Sequence, residues 1–167
     1  MVLLAPVALL ILAALASAYI LPLFTKQVDF RGKHILITGG SQGLGKELAL
    51  QLVDQGANVT IVARRAEPLQ AGSRRNHRPG AVKTAEASPF GPIDLVVCNA
   101  GSSSPGSMAD MAASVHHKAM ERNYFGQLNT VRAVLPGMIA CCRGSILFIA
   151  SAAGLASYIG YASNSPT

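Results

Sequence analysis

A short apolar run that leads into a glycine-rich loop constrains the fold of this 167-residue chain more than any other feature. Residues 34–37 read HILI and are followed at once by TGGSQGLG at 38–45. Apolar residues then recur at helical spacing up to residues 55–56, and a second β-branched run, NVTIVA, occupies 58–63. The pattern predicts a βαβ unit of roughly 30 residues whose parallel strands are buried on both faces.

The glycine loop has the composition of a phosphate-binding turn. Gly39, Gly43 and Gly45 let the backbone turn sharply and approach a pyrophosphate, which the free N–H groups of the following helix attract. A tight turn without a ligand is the alternative, but the position between strand and helix favours binding. Arg64 and Arg65 follow the second strand and favour a 2′-phosphate, hence NADPH over NADH. A pair of solvated surface arginines is the alternative to that interpretation.

The first 24 residues carry no charged side chain. As a helix, residues 2–24 would span roughly 30 Å, the thickness of a hydrocarbon core, so residues 1–24 are predicted to be a transmembrane anchor. A cleaved signal peptide is the alternative, because Ala-Ser-Ala at 16–18 resembles a cleavage site, although no basic residue precedes the apolar run. Three of the next four charges are basic, which places the domain at 25–167 in the cytosol.

Composition excludes several classes of protein. A charged fraction of 13% with compact apolar runs excludes a disordered chain. Only one stretch is long enough to cross a bilayer, which excludes a membrane protein with several spans. Three cysteines, two of them adjacent, do not form a disulfide framework. The four histidines have no ligand spacing, so no metal site is predicted. A basic cluster at 64–83 lacks interleaved aromatic residues, which predicts a solvated loop and no nucleic-acid partner.

Four motifs occur in an order that identifies a family. They are TGGSQGLG at 38–45, CNAG at 98–101, Asn123 within ERNYFG, and FIAS ending at Ser151. With these motifs the chain resembles the short-chain dehydrogenase/reductase family. Further features resemble its 3-ketodihydrosphingosine reductase branch, particularly the fungal members: the N-terminal span, ARR at 63–65, VRAVLPGM at 131–138 and the closing GYASNSPT.

The resemblance implies a Rossmann-like, doubly wound parallel sheet and the NADPH-dependent reduction of 3-ketosphinganine to sphinganine in sphingolipid biosynthesis. It places the reaction at the cytosolic face of the endoplasmic reticulum membrane. The implied partners are a long-chain keto-sphingoid base, membrane lipids and, in the full-length form, a second copy. An anchor suits such a substrate, because a long acyl chain partitions into the membrane. A reductase of another lipid or steroid ketone is the broader alternative.

The resemblance also assigns roles to individual residues. Those implied to contact the cofactor are Gly39, Ser41, Gln42, Gly43, Leu44 and Gly45 at the phosphates, Arg64 with Arg65 at the 2′-phosphate, and Asn99 and Gly101 beside the cofactor. Asn123 would hold a water of the proton relay, and Ser151 would donate to the substrate carbonyl. From the residues alone, 93–98 and 145–150 predict buried strands, Asn123 reads equally as a helix-surface residue, and Ser151 reads as a hydroxyl in a local turn.

The chain departs from the family at its acid. Carbonyl reduction there uses a Tyr hydroxyl whose pKa is lowered by a Lys four residues later, and no Tyr-x-x-x-Lys occurs in this chain. Aligned on Ser151, the Tyr position holds Asn164, and the Lys position falls just beyond Thr167. An amide does not deliver a proton near neutral pH, so the chain is expected to be inactive. Tyr161 is the one stand-in, and it lacks its lysine.

A second departure lies in residues 66–93. A helix, a strand and another helix should fit there and would need roughly 35 to 40 residues. The third-strand motif, an apolar run ending in Asp, is absent. We therefore predict an internal deletion, an irregular segment at 66–93 and an incomplete Rossmann-like domain. A non-catalytic, membrane-anchored NADPH-binding remnant and an erroneous gene model are the alternatives to a truncated enzyme.

Overall fold

A single parallel sheet organises the chain. The computed structural model describes residues 28–63, 88–157 and 159–167, and the backbone of 73–76. The sheet has the order β3-β2-β1-β4-β5. The strands are β1 (His34–Thr38), β2 (Asn58–Val62), β3 (Ser73–Asn76), β4 (Leu95–Cys98) and β5 (Ser145–Phe148). This order is that of a Rossmann-like fold, so the predicted parallel α/β architecture is confirmed.

In the described part of the chain, three helices lie between the strands. They are α1 (Gly43–Asp54), α2 (Ala113–Met120) and α3 (Gly126–Ala140), with a π-helical turn (Glu121–Phe125) joining α2 to α3 and a 3-10 turn (Ala152–Gly154) after β5. The predicted βαβ unit is confirmed as β1-α1-β2, with the two strands parallel. The strands form because an apolar, β-branched run is stable only when both of its faces are buried. Helix α1 forms because its apolar residues lie on one stripe, which packs against the sheet.

The core consists of two layers, one on each side of the sheet. Alternate residues of β1 point to opposite faces, so Ile35 and Ile37 pack with Ala49 and Leu52 of α1. On the other face, Leu36 and Val96 pack with Val134 and Met138 of α3. Both faces of β1 are therefore covered, which explains why its sequence is apolar throughout.

β3 is a difference from the sequence prediction, which expected an irregular segment over 66–93. Residues 73–76 form a strand parallel to β2, with Val59 opposite Ser73 and Val62 opposite Asn76. Hydrophobic patterning did not reveal it because its sequence, SRRN, is polar, as suits the edge strand of a sheet. Of the remaining residues in that segment, 66–72 and 77–87 lie outside the described residues.

β5 is present where the sequence predicted a strand, but the prediction that it is buried is wrong. It lies at the other edge of the sheet, and Ile146, Leu147 and Phe148 are 37%, 45% and 52% exposed. The run is apolar enough to predict burial, but no element in the described part of the chain pairs with its outer edge. The apolar sequence therefore predicted the presence of the strand correctly but its burial incorrectly.

The predicted anchor at 1–24 lies outside the described residues. Within the described ranges, none of the helices has the length and hydrophobicity required to cross a bilayer.

The three cysteines differ sharply in environment. Cys98 is buried at the end of β4, whereas Cys141 and Cys142 are exposed after α3, and all three are free thiols. Burial raises the pKa of the Cys98 thiol to about 11.

At pH 8 we expect a thiol reagent to modify Cys141 and Cys142 rapidly. Cys98 should react at least roughly a hundredfold more slowly, because little of its thiol is ionised and the side chain is shielded from the reagent. Mass spectrometry of the labelled protein measures this. All three should react in denaturant, and rapid labelling of Cys98 in the native protein would contradict the packing of β4.

Candidate cofactor site

A cavity of about 750 Å³ opens at the carboxyl ends of the central strands. Its walls come from the loop after β1, the ends of β2 and β4, and the helical segment formed by the π-helical turn and α3. Sheet order reverses direction between β1 and β4, so the connections after these two strands leave toward opposite faces. The crevice between them is where open α/β sheets bind ligands.

The loop after β1 needs glycine at specific positions. Gly39 has a φ of +69°, and a Cβ there would lie 2.9 Å from the Ala100 Cα atom. A Cβ on Gly45 would lie 2.3 Å from the Asn99 Nδ2 atom and 2.7 Å from the Gly39 carbonyl oxygen. The loop therefore packs directly against the end of β4, with no room for a side chain on that side. Gly43 also has positive φ, +56°, but its missing Cβ faces open space.

The amino end of α1 lies in the wall of the cavity. Ser41, Gln42, Gly43 and Leu44 all line it. The first turn contains no acidic residue, and no described side chain caps it. The first N–H groups of a helix and its macrodipole favour an anion, so this wall suits a phosphate group.

Thr38 and Asn99 hold the two loops of the site together. The Thr38 hydroxyl accepts hydrogen bonds from the backbone N–H groups of Asn99 and Ala100, each at 3.0 Å. In return, the Asn99 Nδ2 group donates to the carbonyl oxygens of Thr38, at 3.1 Å, and Gly39, at 3.3 Å. Asn99 was predicted to lie beside the cofactor and does line the cavity. Sequence reasoning missed Thr38, whose role depends on a contact with a residue sixty positions away.

Asn123 lies on the π-helical turn and binds the backbone of Ser102. Its Oδ1 atom accepts from the Ser102 N–H at 3.0 Å, and its Nδ2 group donates to the Ser102 carbonyl at 3.1 Å. The same Nδ2 group lies 3.0 Å from the Thr167 hydroxyl and 3.4 Å from the Asn164 Oδ1 atom. Asn164, which the resemblance predicts to stand at the position of the family's tyrosine, is thus brought directly to Asn123.

This juxtaposition depends on the last described segment, 159–167. The Gly106 N–H donates to the Gly160 carbonyl at 2.7 Å, and the buried Ser163 hydroxyl donates to the Ser104 carbonyl at 3.0 Å. These contacts attach the segment to the loop that follows β4, close to Asn123.

Ser151 is not brought into this group. It is exposed, and its hydroxyl oxygen accepts from the Ala153 N–H at 3.2 Å, which caps the 3-10 turn. No hydrogen bond joins Ser151 to Asn123 or Asn164 among the residues that the structure describes. The predicted local turn at Ser151 is present, and the role of its hydroxyl toward a substrate stays a prediction.

The remaining predicted site residues divide by position. Gly101 lines the cavity. A Cβ added to Gly101 would lie 3.4 Å from the Asn123 Oδ1 atom. Arg64 and Arg65 lie outside the described residues, immediately after Val62 and Ala63, which line the cavity. Within the described ranges, no group of three His, Cys, Asp or Glu side chains could hold a metal ion.

The residues present fit a dinucleotide. A glycine loop that a Cβ would obstruct, a helix amino end with available N–H groups and a crevice at the strand ends provide space and charge for a pyrophosphate. The hydrogen bonds of Thr38 and Asn99 hold backbone segments of the cavity wall in place. The fit therefore depends on the backbone rather than on mobile side chains.

Comparison with protein-family models gives a match to the short chain dehydrogenase family. The match falls in two overlapping pieces, residues 33–85 and 73–165. A solved structure, an NAD+-bound xylitol dehydrogenase, superposes with a TM-score of 0.77 at 23% identity, over 83% of this chain and 60% of that one. That likeness concerns the fold.

Curated relatives give a more specific likeness. The chain is 29% identical to a 3-dehydrosphinganine reductase of Danio rerio over 189 aligned positions, covering 95% of this chain and 57% of the relative. It is 36% identical to a PIGF/3-ketodihydrosphingosine reductase fusion protein of Schizosaccharomyces pombe, over 80% of this chain and 31% of that protein. The chain thus spans about half the length of the first of these relatives and a third of the second. The alignment to the first is longer than the chain itself, so that relative has residues with no counterpart here.

Proposed function

The chain belongs to the short-chain dehydrogenase family, and on that premise we propose that it binds NADPH but does not reduce a ketone in its present sequence. The observation that carries the proposal is the cavity of about 750 Å³ at the carboxyl ends of β1 and β4, with the glycine loop as one wall. Gly39 and Gly45 pack the loop against the end of β4, and Gly43, which lines the cavity, would have open space around an added Cβ, so a phosphate can approach the backbone there.

The chain's own groups divide the work of binding. The N–H groups at the start of α1 bind the pyrophosphate, and the Thr38–Asn99 contacts hold the loop in the shape that allows this. Arg64 and Arg65, at the end of β2, bind the 2′-phosphate and select NADPH over NADH. The chemistry that a bound NADPH would supply is donation of a hydride to a carbonyl carbon, as with other nicotinamide cofactors.

The missing step is protonation of the oxygen that receives the hydride. At the position of the family's acid, the carboxamide of Asn164 accepts a hydrogen bond from Asn123 and has no proton to release near neutral pH. The Asn123 amide is itself engaged by Ser102 and Thr167. The Ser151 hydroxyl accepts from Ala153 and is exposed. This arrangement can position a ligand, but it offers no acid at the reacting oxygen.

For the substrate class we propose a long-chain keto-sphingoid base, with the protein at the cytosolic face of the endoplasmic reticulum membrane. The names of the relatives support the substrate class, and the uncharged segment at 1–24 supports a membrane setting. In this account the chain is a tethered NADPH-binding protein whose catalytic relatives act on such a base.

The test is NADPH oxidation with 3-ketosphinganine, measured with the full chain in lipid vesicles. We expect no turnover above empty vesicles, while the Danio rerio relative, assayed alongside, should turn over. Turnover by this chain would contradict the proposal. A Tyr161→Phe variant would then show whether Tyr161, which is 40% exposed, serves as the acid.

A further inference from the structure

A wall of the cavity formed by the π-helical turn carries a cation. Arg122 lines the cavity, and among the described lining residues it is the only Arg, Lys or His. It lies on the π-helical turn, and Gly126 and Thr130 of α3 extend the same wall. The side chain is partly buried. The cavity thus combines the amino end of α1 on one side with a guanidinium on another.

Arg122 is held in place by its contact with Ser102. Its guanidinium donates to the Ser102 hydroxyl, and Asn123 binds the N–H and the carbonyl of the same serine. Two consecutive residues therefore bind one loop residue, which the altered residue spacing of a π-helical turn permits. Such turns occur frequently at functional sites.

The charge of Arg122 is not neutralised by a described carboxylate. The ion pairs within the described ranges are Lys33 with Asp94 and Arg143 with Asp94. A guanidinium has five N–H donors in a rigid fork, and the contact with Ser102 uses one of its nitrogen atoms. Donors remain for a ligand in the cavity. A phosphate in the cavity would supply the counter-ion that no described carboxylate provides.

We propose that Arg122 is a second phosphate-binding residue of this site and determines part of the affinity for the dinucleotide. The inference rests on the proposed function, because it requires a phosphate-bearing ligand in the cavity. Charge-assisted hydrogen bonds from a positioned guanidinium to a phosphate oxygen are about twice as strong as neutral ones. The phosphate is either the pyrophosphate, common to NADH and NADPH, or the 2′-phosphate of NADPH.

The experiment compares Arg122→Met with Arg132→Met by calorimetric titration of the full chain with NADPH and with NADH. Arg132 is an exposed residue of α3 that does not line the cavity, so its substitution removes the same charge elsewhere. We expect about tenfold weaker binding for Arg122→Met, and a change of less than about twofold for Arg132→Met. Equal losses for both nucleotides assign the pyrophosphate, and a loss confined to NADPH assigns the 2′-phosphate.

Salt dependence separates phosphate binding from a purely structural role. If Arg122 binds phosphate, the affinity of Arg122→Met falls less steeply with added salt than that of the parent chain. A residue that only supports the Ser102 loop would lower the affinity without changing this slope. A parent chain that binds nucleotide, with Arg122→Met equal to it for both nucleotides, overturns the inference and leaves the proposed function standing. A folded parent chain that binds neither nucleotide overturns both.

Discussion

A Gly45→Ala variant is expected to lose dinucleotide binding and to unfold at a lower denaturant concentration than the parent chain. The added Cβ would lie 2.3 Å from the Asn99 Nδ2 atom and 2.7 Å from the Gly39 carbonyl oxygen. Asn99 cannot move without losing its hydrogen bonds to Thr38 and Gly39, so the backbone of the loop must shift instead. Overpacking of this kind costs about 1–3 kcal/mol of unfolding free energy. Nucleotide titration should show at least about tenfold weaker binding, the equivalent of 1.4 kcal/mol.

Gly154→Ala is the matched control for that variant. Gly154 has no atom within 4 Å of the position of an added Cβ, and it does not line the cavity. It should leave both nucleotide affinity and stability close to those of the parent. If Gly45→Ala also binds nucleotide normally, the loop does not approach the end of β4 as closely as described.

A Thr38→Val variant is the second change with a large expected effect. The replacement keeps the shape of the side chain but removes the acceptor for the Asn99 and Ala100 N–H groups. The Asn99 N–H retains the Val97 carbonyl at 3.1 Å, whereas no other described partner accepts from the Ala100 N–H. Leaving a fully buried donor unpaired costs about 1–3 kcal/mol, and the lower end of that range is expected for this part-buried N–H. Urea unfolding followed by circular dichroism measures the loss, and nucleotide affinity should fall with it.

Thr38→Ser restores the acceptor and serves as the conservative comparison. It should recover most of the lost stability, apart from the contribution of one buried methyl group, about 1 kcal/mol. Equal destabilisation by valine and serine would mean that packing, rather than the hydroxyl, links the end of β1 to the loop after β4.

The unit β1-α1-β2 and its glycine loop were predictable because their signals are local. Each signal is contained in a short stretch of consecutive residues: a β-branched apolar run, a glycine at a position of positive φ, and a helical apolar stripe. These signals predicted the βαβ order, and the family resemblance supplied the Rossmann-like fold class. The end of β4 and its Asn99 were predictable for the same reason, since an apolar run precedes them.

The features that sequence reasoning missed depend on contacts between distant residues. β3 is polar and exists through its pairing with β2, so hydrophobicity could not reveal it. β5 has the sequence of a buried strand, but its burial is decided by its neighbours in the sheet. The roles of Thr38 and Arg122 arise where separate loops meet. A lone Arg on a helix carries no signal that it faces a cavity.

The candidate site illustrates the same division. The resemblance predicted Asn164 at the position of the family's tyrosine, but the contact of Asn164 with Asn123 depends on the packing of residues 159–167 against the loop after β4. Ser151 was a candidate because of its motif; its hydroxyl oxygen caps the 3-10 turn, and its role toward a substrate stays a prediction. Arg64 and Arg65 remain predictions from sequence, outside the described residues.

The most direct test of the account is a calorimetric titration of the folded full chain with NADPH and NADH in lipid nanodiscs. Circular dichroism and protection of Cys98 from thiol reagents first establish that the domain is folded. The account predicts saturable binding of one nucleotide per chain, tighter for NADPH than for NADH, and weakened by Gly45→Ala but not by Gly154→Ala. A folded chain that binds neither nucleotide would contradict the assignment of the cavity as a dinucleotide site.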